Sequence, residues 1–157
     1  MRHLSNKVSI RISMIMTGVL TLTLLLLLPW IPAIVRSMIS VEDNVGNRAL
    51  LGDGAMLYVL VAAYAMMAVA FVTLSFLFLL LREVQRGRVF EERTLRILSI
   101  LMLCCYVMGA LFLSVVYCFQ IALLVAFAAF FLGLCLGVVK NVLAEAGRIK
   151  AENDFTI

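Results

Sequence analysis

The stretch that decides the fold runs from Ile97 to Val139 and reads ILSI LMLCCYVMGA LFLSVVYCFQ IALLVAFAAF FLGLCLGVV. It contains no Asp, Glu, Lys, Arg or His, and its strongly polar side chains are Ser99, Ser114 and Gln120. A single helix of this length would measure about 65 Å, at about 1.5 Å per residue. Because the hydrocarbon core of a bilayer is only about 30 Å thick, the stretch predicts two membrane helices joined by a tight turn.

Two further uncharged runs, Ile12–Val35 and Gly54–Leu81, are each long enough to cross a bilayer. The chain of 157 residues is 65% hydrophobic and only 14% charged, so the composition indicates no second, polar domain. We therefore predict an all-α integral membrane protein, a four-helix transmembrane bundle that forms a single domain over residues 1–157. The predicted spans are residues 12–35, 55–81, 97–117 and 121–142, followed by a tail over residues 143–157.

Lysine and arginine are distributed unevenly between the two ends of the predicted bundle. Eleven of the 13 lie in Met1–Arg11, Arg82–Arg96 and Lys140–Ile157, whereas the other connections hold only Arg36 and Arg48. Positive charge is retained in the cytoplasm during insertion, so we predict that both termini and the middle loop are cytoplasmic. The net charge of +4 is then explained by topology, and we predict no direct contact with nucleic acid.

The end of the first uncharged run carries Pro29, Trp30 and Pro32. Proline interrupts helices and indole rings favour the headgroup region, so we expect this helix to end there, near the outer surface. The apolar core of the run is longer than that of a signal peptide, and no small-residue cleavage pattern follows it. We therefore interpret the segment as a retained anchor helix.

The sequence offers no constellation of catalytic or metal-binding residues. No predicted span has an ionisable residue in its middle, where ion-coupled transporters place them. The single histidine, His3, lies next to the start, and the chain has no nucleotide-binding loop. The four cysteines form no Cys-x-x-Cys pair and lie within the apolar run, as small buried hydrophobic residues do. We expect no enzymatic activity, no cofactor and no metal site.

Two patterns of small residues lie on the predicted helices. Gly133 and Gly137 form a Gly-x-x-x-Gly motif, which admits another helix closely, either within the bundle or in a homo-oligomer. A second pattern places a hydroxyl residue at every fourth position of the first helix: Ser9, Ser13, Thr17 and Thr21. These hydroxyls either bond to backbone carbonyls of their own helix, pack against neighbouring helices, or line a polar path.

Two segments outside the spans carry a family resemblance. One is Gly87-Arg88-Val89-Phe90, which precedes the third span, and the other is the terminal Glu152-Asn153-Asp154-Phe155-Thr156-Ile157. On these segments the chain resembles the bacterial domain-of-unknown-function 2975 family over nearly its full length. The resemblance implies four-span proteins of the bacterial cytoplasmic (inner) membrane, often encoded beside a small helix-turn-helix regulator. It implies no assigned activity.

Two hypotheses of function follow. The first is a membrane partner that senses or sequesters a small cytoplasmic DNA-binding regulator, which would dock on the basic loop Arg82–Arg96 and the tail Lys140–Ile157. The candidate docking residues are Arg88, Phe90, Asn153, Asp154, Phe155 and Ile157. The alternative is a small transporter or pore subunit, or an immunity protein against a peptide toxin. It is equally open whether the basic loop serves only topology and the tail only caps the bundle.

Overall fold

Five α-helices make up the part of the chain that is described in a computed structural model of the protein. The description covers residues 2–44, 54–87 and 91–154, with side chains at 11–39, 54, 56–87 and 91–152. The helices are α1 (Arg2–Leu27), α2 (Ile31–Asn44), α3 (Ala55–Gln85), α4 (Glu92–Ser114) and α5 (Ile121–Asp154).

Among the described residues, four helical segments are long and apolar enough to cross a membrane. They comprise Arg11–Ile39, Met56–Gln85, Glu92–Ser114 and Ile121–Glu152. Within the described ranges the remaining residues form turns and one short 3-10 helix, and none forms a strand. The prediction of an all-α integral membrane protein with four spans is therefore confirmed.

The prediction that the first helix ends at Pro29 and Pro32 is confirmed for α1, which ends at Leu27, but the chain does not leave the helical path there. The chain passes from α1 through one turn of 3-10 helix at Leu28–Trp30 directly into α2. Pro29 is the second residue of that turn, and Pro32 is the second residue of α2. At the first turn of a helix the backbone N–H has no intrahelical partner, so proline removes no hydrogen bond there. The helical path therefore continues to Asn44.

The helices pack largely in chain order, with α1 and α2 on α3, α3 on α4, and the most extensive interface between α4 and α5. A cluster of buried side chains, here called the distal cluster, joins α2 and α3 to the turn between α4 and α5. Its members are Ile31, Val35, Val59, Ala62, Val115, Phe119 and Ala122. Ile31 and Val35 are one helical turn apart, so α2 packs with a single apolar face.

The two short connections have defined geometry. The turn between α4 and α5 occupies residues 115–120, where the Cys118 and Phe119 N–H groups both donate to the Val115 carbonyl. Across the bundle, the Tyr58 hydroxyl donates to the Ser114 carbonyl at 3.1 Å, which ties α3 to the end of α4. At the end of α3, Gly87 has a φ of +76°, and its N–H donates to the Val84 carbonyl. This left-handed cap is the one that the sequence predicts for a glycine at this position.

Candidate functional site

The basic loop and the end of the long α5 helix lie at the same end of the bundle, here called the basic end. Contacts between α4 and α5 fix this arrangement, because Gly109 lies against Phe130, Tyr106 against Gly133, and Met102 against Gly137. The residue numbers fall along α4 as they rise along α5, so the two helices are antiparallel. The start of α4, the end of α3 and the end of α5 therefore lie at the same end.

A buried carboxylate lies beneath the exposed arginines of the basic end. The Glu83 side chain is only 5% exposed, and its Oε1 lies 3.8 Å from Arg86 Nη1 and 3.7 Å from Arg93 Nη1. Arg86 belongs to the end of α3 and Arg93 to the first turn of α4. Glu83 thus connects the two helices on either side of the loop electrostatically. Sequence analysis did not single out Glu83. An acidic residue between Arg82 and Arg86 at the end of a span could have indicated an ion pair there.

The first turn of α4 is also anchored by burial. Thr94 is 1% exposed, and its N–H donates to the carbonyl of Glu91, the residue that caps the helix. The neighbouring Glu92 and Arg96 form a 3.5 Å ion pair one turn apart with both side chains largely exposed. An exposed pair of this kind contributes little to stability. Glu83 is therefore buried at the end of α3 and Thr94 at the start of α4, while Arg82, Arg93 and Arg96 are exposed.

α5 is longer than a bilayer requires. Its 34 residues span about 51 Å at about 1.5 Å per residue, whereas a span needs about 20 residues. Beyond the apolar run, Arg148 pairs with Glu145 at 2.8 Å and approaches Glu152 at 3.9 Å. On the same extension Val142 and Ile149 are 62% and 52% exposed. The helix thus carries both charged and apolar groups to the basic end.

The six candidate docking residues fall at the margins of the described chain. Arg88 and Phe90, in the loop, and Phe155 and Ile157, in the tail, lie outside the described residues. The backbone of Asn153 and Asp154 forms the last two residues of α5, while their side chains lie outside the described set. Their role in docking stays a prediction, although the segments that carry them begin at the same end of the bundle.

The two glycines of the Gly-x-x-x-Gly motif lie on the face of α5 that contacts α4. A Cβ atom added to Gly133 would lie 2.6 Å from Tyr106 Cε1, and one added to Gly137 would lie 3.2 Å from Met102 Sδ. A third close approach, which sequence analysis missed, places Gly109 of α4 with a hypothetical Cβ 3.0 Å from the Phe130 ring. On both helices, therefore, glycines pack against large side chains of the other helix.

The hydroxyl pattern of α1 is engaged within its own helix wherever its hydrogen bonds are described. Thr17 donates to the Ser13 carbonyl and Thr21 to the Thr17 carbonyl, each at 2.8 Å. Thr17 is also 4% exposed. Of the described residues, no three His, Cys, Asp or Glu side chains are grouped so that they could hold a metal ion.

Comparison with known proteins gives one finding. No curated protein and no solved structure matches the chain. A family model described as "Protein of unknown function (DUF2975)" matches residues 10–157, which includes all four spans, the basic loop and the tail. The chain therefore belongs to the DUF2975 family, whose function is unknown.

Proposed function

We propose that the protein is a non-enzymatic membrane partner that senses or sequesters a soluble protein at the basic end of its bundle. The observation that carries the proposal is the extension of α5 as a helix to Asp154, at the same end of the bundle as the end of α3 and the start of α4. A helix needed only to cross the bilayer would end after about 20 residues. The additional turns offer a surface outside the membrane.

The chemistry of this surface favours a protein partner with acidic groups. Arg82, Arg93 and Arg96 are exposed around the loop, and such charges steer and orient association with complementary surfaces. Phe90 would supply an aromatic anchor, and Phe155 with Ile157 would supply alternate apolar side chains on an extended terminus. The family resemblance supports a small helix-turn-helix regulator as the partner and the bacterial cytoplasmic membrane as the location.

The proposal requires the basic end to face the cytoplasm, which reporter fusions test. Fusions after Asp53 and Gln120 are expected to report an external location, and fusions after Arg88 and Ile157 a cytoplasmic one. The physical reason is that the loop and termini at one end carry most of the cations. Alkaline phosphatase and green fluorescent protein fusions give opposite readouts and serve as mutual controls. A cytoplasmic signal after Asp53 would refute the topology.

Deletion of Asn153–Ile157 tests the docking role of the tail. The truncated protein is expected to insert normally but to retain much less of a fluorescent helix-turn-helix regulator, of the kind often encoded beside such proteins, at the membrane. Replacement of the same five residues by a Gly-Ser sequence of equal length is the matched control for chain length, and it should lose retention equally. Membrane retention is measured by fractionation and microscopy. Unchanged retention in both variants, or no retention by the intact chain, would contradict the proposal.

A further inference from the structure

An apolar groove opens at the end of the bundle opposite the basic end. It has a volume of about 510 Å³ and lies between α2 and the start of α5, with α3 and α4 as its floor. The rims are formed by large side chains that are 37–70% exposed. They are Ile34 and Met38 of α2, and Ile121 and Val125 of α5. The groove is therefore open sideways, onto the surface that the spans present to the bilayer.

The lining of the groove specifies the chemistry of its occupant. The small side chains of Ala62, Ala63 and Ala70 on α3 leave room for the groove. Methionines of α3 and α4 form flexible walls around it. No charged side chain is among the lining residues, so a ligand group buried here would find no side chain to neutralise a charge. Methionine adapts to irregular apolar shapes. The groove suits a flexible chain that carries no polar groups.

We propose that this groove binds one acyl chain of a phospholipid, from the leaflet that contacts the end of the bundle opposite the basic end. The groove is continuous with the bilayer-facing surface, and this is the interface that supplies the occupant. An acyl chain seated in the groove would make dispersion contacts with its apolar lining. A helix of a second copy is a poorer occupant, because the large rim side chains Ile34, Ile121 and Val125 would separate its backbone from the small alanines of α3.

The test compares substitutions that add equal volume inside and outside the groove. Ala63→Leu fills the groove, whereas Ala68→Leu adds the same atoms at an exposed position of α3 that does not line it. The full-length protein is reconstituted in nanodiscs of phosphatidylethanolamine and phosphatidylglycerol, and lipids retained after release are counted by native mass spectrometry. We expect one tightly held phospholipid per chain in the wild type and in Ala68→Leu, and about tenfold less in Ala63→Leu.

A second variant protects the test against failure of Ala63→Leu to fold. Met66→Ala widens the groove and is expected to increase the retention of a phospholipid with branched chains relative to one with straight chains. The proposal is overturned if the wild type retains no lipid, if Ala63→Leu and Ala68→Leu retain equal amounts, or if Met66→Ala leaves the preference unchanged. It is also overturned if Ala63→Leu converts a dimer to a monomer, since the occupant would then be a second copy.

Discussion

Gly133→Leu is expected to destabilise the folded protein strongly, whereas Gly18→Leu is expected to leave its stability nearly unchanged. A Cβ at Gly133 would lie 2.6 Å from the Tyr106 ring, while nothing lies within 4 Å of one at Gly18. The Tyr106 ring would have to move to admit the new atoms, and this would disturb its contact with the Phe130 ring, whose centroid lies 6.2 Å away. Overpacking of a closely packed interior typically costs about 1–3 kcal/mol, and a leucine places further atoms in the same space.

The free energy of unfolding in detergent micelles measures this difference. Gly133→Ala should show a smaller loss than Gly133→Leu, since it adds only the Cβ atom. Tyr106→Ala in the Gly133→Leu background should recover part of the stability, and a double-mutant cycle then reports the coupling between the two positions. Equal stabilities of the Gly18 and Gly133 variants, with no coupling to Tyr106, would show that Gly133 is not a site of close packing.

The number of spans and the ends of several helices could be predicted from the sequence. Hydrophobic length alone identifies four spans, because backbone groups in lipid leave the chain few alternatives to helix. A local rule also predicted the left-handed cap at Gly87, since that cap depends on neighbouring residues only. These features can be predicted without knowing which helices pack against each other.

Features that depend on tertiary contact could not be predicted in the same way. A Gly-x-x-x-Gly motif indicates that something approaches Gly133, but it does not identify the Tyr106 ring on another helix. The continuation of the helix past Pro29 reflects the position of that proline within a turn, which a count of prolines does not reveal. Glu83 is adjacent in sequence to an exposed arginine, and only the packing of α4 against α3 shows that its carboxylate is buried.

Glu83→Lys is expected to be among the most destabilising single charge changes in the described part of the chain. The substitution would place a cation at a position 4% exposed, next to Arg86 and Arg93, and remove the negative charge that those arginines approach. Leaving a buried charge without its partner typically costs about 3–5 kcal/mol. Glu83→Gln keeps the shape and removes only the charge, so a smaller loss is expected, because Arg86 and Arg93 are 47% and 66% exposed and can be hydrated.

Glu92→Lys is the matched control for this charge reversal, because Glu92 lies in the same region and its side chain is 89% exposed in the pair with Arg96. Exposed ion pairs contribute about 0–1 kcal/mol, so the control should change stability little. The measurements are the free energy of unfolding in detergent and the rate of trypsin cleavage in the basic loop, in membranes that expose that end. A detached loop should be cut faster in both Glu83 variants. Equal effects of Glu83→Lys and Glu92→Lys would mean that the basic end is organised without the buried carboxylate.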